Sequence, residues 1–573
     1  MRINAHAHIF NLQTVLTHEA VRIIAQRVRD RGLPEFVVVG VQRLLDELVD
    51  YPENLTEEAL LARFVDRITR NDQFRIFQGA NFASLPVDIR ILGDGPAQLG
   101  VQGLRSLLDK LSTFLGNTAG GRSSIFDVFE TLRIALESSI VAVADHLLNH
   151  MEPDDALVAL MMDITAPEEP ERDAENFRKQ IKGTSAAALA RPGRILPFIA
   201  VNTRRTNHFE LMKDALETRG FIGVKLYPSL GYEMDTDPMH QVLDYCVRTS
   251  TPVVMHCNKG GFYASEESIA FGNPSVWEPL LRNRPTLRIC FAHCGGEDGL
   301  ESAPGSVLPG SWTAEIVKLM GLYDNVMMDI SYHNGMMSDT AKELNYFATL
   351  KGLIANPAYR HRVMWGTDSW LLRLSLADDT YWKYFMKMLT PAEFAQIAEE
   401  NPRRFLGLPA ADGSGIAPNV DRFVTFIGQN RARLGAQPTP WLGRAVGGTF
   451  DVHAMLANWT LLNLAHYYTF SFALLLLNPV DAQRGFIECA HVPMTRLGHW
   501  LGGPTSVGFA DRCAGTALRL AKFCLKAGAR YEAQHNDATA VRCLETLFRT
   551  GDATLLDLGA AVDAIFRFDG ELA

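Results

Sequence analysis

A chain of 573 residues is too long for one ordinary core, so several domains or one heavily elaborated barrel are expected. Hydrophobic residues at 47% and charged residues at 21% exclude a disordered chain. A net charge of −10 with no long basic run excludes a nucleic-acid footprint.

Residues 1–11, Met-Arg-Ile-Asn-Ala-His-Ala-His-Ile-Phe-Asn, open as a strand, whose period of two puts His6 and His8 on one face. Two neutral imidazoles so placed can fill two positions around a zinc-like ion. Alone, His-x-His is a weak signal that surface or core histidines also produce. A strand beginning at residue 3 leaves no room for a signal peptide, whose removal would also take both histidines. The eight cysteines form no Cys-x-x-Cys pair and mostly lie in apolar segments, as free thiols in a reducing compartment do. A cytoplasmic location is expected.

Residues 12–155 read as a mainly helical insertion. Val21, Ile24 and Val28, then Val41, Leu44, Leu45 and Leu48, recur at helical spacing, as do Leu104, Leu107, Leu108 and Leu111 and later Val141, Val143, Leu147 and Leu148. The insertion leaves after the first strand, beside His6 and His8. It is expected to cover the site and restrict access to it. Packing on the flank or a contact between subunits in a homo-oligomer is the alternative.

From residue 156 the pattern becomes short apolar runs at 157–165, 195–202, 222–227, 252–257, 287–293, 326–331 and 363–367. Each is nearly continuous Val, Ile, Leu, Met or Phe, as parallel strands covered on both faces are. With the first strand they number eight. Helical segments at 209–218, 241–249, 314–321 and 391–406 separate or follow them. The alternation predicts an α/β fold, a (β/α)8 barrel over 1–11 and 156–408, with its site at the strands' C-terminal ends. Residues 409–418 read as a linker and 419–573 as a helical C-terminal domain, in which Leu518, Ala521 and Leu525 run to Gly528 and Leu544, Leu547 and Phe548 to Gly551. Residues 459–477 are largely apolar, but Asn463 and His466 interrupt them. They read as a buried helix or a subunit contact rather than a membrane span.

Four further candidates close strands of this barrel: Lys225 the fourth, His256 the fifth, His293 the sixth and Asp368 the eighth. Each alone has a plainer reading, as a satisfied core histidine, a rim lysine in a salt bridge or an aspartate capping the next helix. Together they end at one rim, where residues far apart in sequence converge on one ion. Arg204 and Arg205 close the third strand and either hold a substrate carboxylate or lie on the surface. Tyr227, His333 and Trp370 follow strands four, seven and eight and either line the pocket or pack. The glycine-rich stretch 295–310 reads as a mobile rim loop.

The series His-x-His, Gly-Val-Lys, Met-His, Ala-His-Cys-Gly and Trp-Gly-Thr-Asp, closing with Asn401-Pro-Arg-Arg-Phe-Leu-Gly-Leu408, resembles the amidohydrolase superfamily. It is most similar to the branch that includes aminocarboxymuconate-semialdehyde decarboxylase. The resemblance spans 1–11 and about 156–408. It implies that His6, His8 and Asp368 hold one divalent metal, zinc or another, and that His256 is also a ligand. His293 would bind a second metal or orient the substrate. In binuclear relatives the lysine at the position of Lys225 is carboxylated and bridges two ions. Decarboxylase-like relatives generally lack it, so Lys225 favours two metals. The implied chemistry is hydrolysis of a C–N (amide-type) or ester bond of a small organic substrate by metal-activated water, with Asp368 as proton carrier. The rivals are a metal-dependent lyase, a decarboxylase or hydratase acting on a carboxylate-bearing substrate, and a non-catalytic assembly scaffold.

Overall fold

The computed structural model describes residues 1–30, 34–50, 57–69, 125–164, 170–369, 372–374, 378–409 and 415–446. The helix expected around 104–111, Trp370 and the C-terminal helices beyond 446, including 459–477, lie outside the described residues.

Eight parallel strands form the expected barrel. They are β1 (Ile3–Ala7), β2 (Ala156–Leu160), β3 (Ile195–Val201), β4 (Gly223–Leu226), β5 (Val253–His256), β6 (Ile289–Ala292), β7 (Val326–Asp329) and β8 (Val363–Met364), each paired with the next. All their residues are buried, which accounts for the unbroken apolar runs. The ring is drawn together between the ends of β8 and β1: Ala5 N donates to Trp365 O at 3.0 Å, and Asp368 N to His6 O at 2.8 Å.

The motif beginning at Asn401 has a structural duty. Asn401 Nδ2 donates to Arg360 O and Val363 O, both at 2.7 Å, and so pins the start of β8. Pro402 lacks an N–H, and the helix from Pro391 to Leu406 absorbs this with a π turn over Gln396–Glu400. Trp365 N donates to Ile397 O within that turn. The loop carrying Asp368 therefore starts from a fixed strand.

The described part of the insertion is helical: His18–Asp30, Glu35–Asp50, Glu57–Thr69, Ile125–Ala135 and Ile140–Leu148. Val21, Val41, Leu45, Phe64 and Phe129 are buried in one cluster with Phe10, Met161 and Leu372, residues just past the C-terminal ends of strands. Ile140–Leu148 instead packs on Pro170–Ala190, where a Cβ on Gly183 would meet the Ile140 side chain at 2.8 Å.

The boundary expected at 418/419 falls at the start of a helix that belongs to the barrel. Pro418–Gln429 buries Val420, Phe423 and Ile427 in a cluster shared with Ile195 and Ile222. Residues 415–417 lead into that helix, whose first position is Pro418, and the unit that holds the barrel runs on to Val446.

Candidate metal centre

His6 and His8 lie on the same side of β1 and its extension, as the period of two requires. His6 Nδ1 is 3.0 Å from Asp329 Oδ2, and His8 Nδ1 is 2.9 Å from Leu160 O. His293, just past β6, has its Nδ1 3.1 Å from Ser331 O. Carbonyl and carboxylate oxygens only accept, so each Nδ1 carries a proton and each ring turns its Nε2 the other way, as a bare lone pair on His6 and His293.

Those nitrogens face Asp368. Its Oδ1 is 3.0 Å from His8 Nε2 and 3.5 Å from His6 Nε2. One donor atom each from His6, His293 and Asp368 lies within 4.8 Å of the others. Acceptors held this close repel unless a cation stands among them. His6 Nε2 and Asp368 Oδ1 are indeed buried without a hydrogen-bond partner, a costly state that a bound cation relieves. The residues present therefore fit a divalent ion, and the outward Nδ1 contacts are those that orient metal-binding imidazoles.

The electrostatics agree. Burial, reinforced by Lys225, lowers the pKa of His6 to about 3, and burial lowers that of His293. Both are neutral at physiological pH, as ligands must be. Burial pushes the Asp368 carboxyl up, but His8, His6 and His293 outweigh it and hold it well below the usual carboxylate range. Burial also lowers Lys225 to about 8, against the pull of Asp329 and Asp368. Its Nζ is buried with no hydrogen-bond partner.

The site opens into a cavity of about 510 Å³, lined by His8, Lys225, Tyr227, His256, His293 and Asp368 together with the loops that follow β5 and β7. The backbone is strained here: His293, Cys294, Tyr332 and Asp368 make up four of the five non-glycine residues with positive φ among those described.

His256 is in the cavity but is held differently. Its ring stacks on Tyr227 with centroids 3.8 Å apart, and its Nε2 is 3.1 Å from Gly260 O. That carbonyl takes the nitrogen that the other histidines turn inward.

The remaining candidates separate. Arg205 forks onto Asp163 at 2.6 and 2.9 Å over the Phe177 ring, and Arg204 Nη1 donates to Leu230 O at 3.0 Å. Neither lines the cavity, because each is already engaged by its own rim. His333 is buried behind the site, between the Tyr346 hydroxyl at 2.8 Å and His293 O at 2.9 Å, so it supports His293 and is no wall. Sequence reasoning missed Asp329, the acid closing β7. It takes His6 Nδ1 on one oxygen and the backbone N–H groups of His293 and Ser331 on the other. Its signal was present: one acid at the end of an apolar strand at the same rim.

Among the described residues no helix is long and apolar enough to cross a membrane. No curated protein matches the chain. Among solved structures, 2,6-dihydroxybenzoate decarboxylase from Rhizobium is similar at 14% identity, covering 46% of this chain and 87% of its own, with a TM-score of 0.34. 4-Oxalomesaconate hydratase from Rhodopseudomonas palustris is similar at 11% identity over 75% of this chain and 100% of its own, TM-score 0.35. A probable 2-pyrone-4,6-dicarboxylic acid hydrolase from Acinetobacter baumannii is similar at 16% identity over 47% and 90%, TM-score 0.33. Residues 149–408 match the amidohydrolase family model. Over these residues, a little under half of its length, the chain is similar to the amidohydrolases, a family whose members bind divalent metals.

Proposed function

We propose that the barrel is a metal-dependent hydrolase that cleaves a C–N or ester bond of a small organic substrate. The observation that carries this is the ring of inward-turned imidazole nitrogens around the unpartnered Asp368 Oδ1. His6, His8, His293 and Asp368 would hold a divalent ion, zinc or another first-row metal. Such an ion supplies Lewis acidity to an oxygen of water or substrate. Asp368 takes the proton of the attacking water and passes it to the leaving group, a role its ionised state and its place among the histidines allow. Lys225 stands in the same cavity with a free Nζ. With a pKa of about 8, a usable fraction of it is neutral amine at pH 7, the form that reacts with carbon dioxide. A carboxylated Lys225, with His256, would serve a second ion.

The described part of the insertion supports its reading as a cover. Helix Ile125–Ala135 meets Leu372–Leu374, the turn that follows the Asp368 loop.

A second reading, a lyase acting on a carboxylate-bearing substrate, is favoured by His256. Its Nε2 faces Gly260 O, which leaves the convergent donors enough for one ion. Lys225 as an ammonium would then pair with the substrate carboxylate. Elemental analysis of the full chain, with 13C-bicarbonate labelling followed by NMR, separates the two. Two ions per chain and a labelled lysine carbamate support hydrolysis. One ion, no carbamate and decarboxylation or hydration of carboxylate substrates support the lyase. No bound metal, and none taken up from zinc, manganese or iron solutions, overturns both and leaves the scaffold reading.

A further inference from the structure

His293 stands on a turn that is costly to hold. It and Cys294, two non-glycine residues in succession, have φ of 58° and 51°, the left-handed region that residues with a Cβ disfavour. Yet every polar atom of His293 except Nε2 is engaged. Its N donates to Asp329 Oδ1 at 3.1 Å and its Nδ1 meets Ser331 O at 3.1 Å. Its O accepts from Gly296 N at 2.7 Å and from His333 Nε2 at 2.9 Å. Gly296 belongs to the same turn and moves with it. Asp329, Ser331 and His333 belong to β7 and the loop that follows, so they fasten the turn to the neighbouring strand.

The far end of that fastening lies behind the site. A carbonyl only accepts, so His333 carries its proton on Nε2, opposite to His6 and His293. Burial favours the neutral ring, so Nδ1 is an acceptor, and the Tyr346 hydroxyl, 2.8 Å away, donates to it. Tyr346 lies in the helix Thr340–Ala355, fully buried, with the rings of Phe347 and Phe385 against it. A second helix, Asp378–Met388, holds the backbone of the same loop. Its Tyr381 hydroxyl accepts from His333 N at 3.1 Å and donates to Ile330 O at 3.0 Å. The backbone of His333 is thus fixed, and its ring is held at both nitrogens. Without the Tyr346 hydroxyl, Nδ1 would be an unpaired buried nitrogen, and nothing would keep the ring at the tilt that reaches His293 O.

We propose that His333 and Tyr346 are positioning residues for the metal centre: Tyr346 orients His333, His333 pins the His293 carbonyl, and the pinned turn aims His293 Nε2 at the ion. The inference rests on the reading of that centre and goes beyond it. A hydroxyl that does not line the cavity sets how tightly, and in what geometry, the ion is held.

Cobalt(II) is the probe, because its visible d–d bands report ligand geometry as well as occupancy. The full chain is stripped with chelator and loaded with cobalt(II), and affinity is measured by chelator competition. His333→Ala and Tyr346→Phe are each expected to weaken cobalt binding about tenfold and to change the d–d bands. His333→Gln, whose amide can donate to the same carbonyl, should keep both near wild type. Combining Tyr346→Phe with His333→Ala should cost no more than His333→Ala alone, because Tyr346 acts only through that ring. Tyr346→Phe removes a single oxygen and carries the test should His333→Ala fold poorly. Losses that add in the double variant assign Tyr346 to packing and overturn the proposal. So do wild-type affinity and bands in folded Tyr346→Phe, or a His333→Gln variant no better than His333→Ala. A wild-type chain that takes up no cobalt overturns the metal centre itself and this proposal with it.

Discussion

The two ends of the barrel treat buried polar groups in opposite ways. At the end where the strands begin, most of them are paired, Arg422 Nε and Thr439 Oγ1 excepted. Asn419, fully buried, donates to Ile222 O and Leu406 O and accepts from Arg288, which also reaches Phe405 O. Arg194 likewise caps Leu148 O, Glu152 O and Asp155 O. At the end where the strands finish, His6 Nε2, Lys225 Nζ and Asp368 Oδ1 are buried with no hydrogen-bond partner, and the backbone of His293 and Asp368 is strained. The first arrangement stabilises the fold. The second costs stability, and a costly arrangement persists where a ligand uses it.

The sharpest way to break the contrast is Asp368→Asn. An asparagine cannot take the proton, so turnover should fall by ~10³-fold or more. Near-normal turnover would take Asp368 out of the mechanism.

The mirror-image change is Asn419→Ala. It strands two carbonyls and a guanidinium, at a cost of about 3 kcal/mol. Thermal unfolding should shift well down while metal content per folded chain stays at the wild-type value. Lost metal in soluble, folded protein would show that the two ends are not independent.

Asp329→Asn tests the support of the site rather than its ligands. It weakens the anchor of His6 Nδ1, and metal affinity in a chelator competition should drop ~10–100-fold with little change in far-ultraviolet circular dichroism. An unchanged affinity would remove Asp329 from the site.

The smallest effect concerns Glu297, in the loop after β6. Burial raises its pKa to about 7, although Gly335 N donates to its Oε2 at 3.0 Å. The folded state thus holds this proton more tightly than the unfolded one. The associated stability is complete below about pH 4.5 and is lost as pH rises through about 7. Glu297→Gln should therefore lose less of its melting temperature than wild type between pH 5 and pH 8. Parallel pH profiles for the two would contradict this.

Much of the site was legible because strand ends in a barrel share a rim. His6, His8, His293 and Asp368, each at or just past the end of an apolar run, converge as that rule requires. What the sequence hid were relations between side chains. Nothing in residues 204–205 announces that Asp163, 42 positions earlier, takes Arg205. Nor does the stretch around His333 reveal that its ring spans Tyr346 and His293 O. His256 was read correctly as closing β5, yet the hold on its nitrogen depends on how the chain returns at Gly260. The end of the barrel unit turns on a different relation. Composition marks a loop at 409–418, but whether the next helix packs or departs is decided by Val420, Phe423 and Ile427 finding a surface.

The meeting of β1 with the end of β8 has a consequence for how the protein comes into being. Asn4 Nδ2 donates to Thr367 Oγ1 at 2.7 Å across 363 positions of chain. Contacts so distant in sequence form late, since the loop entropy between them must be lost first. His6 and His8 leave the ribosome early and wait for Asp368, so a chain interrupted before its eighth strand lacks the carboxylate they face. An ion that binds only the closed ring favours that ring by mass action. The last seam of the barrel is also where its first residues find their partners, so for this chain capture of the ion would serve as a check that the eighth strand has been made and the ring has closed.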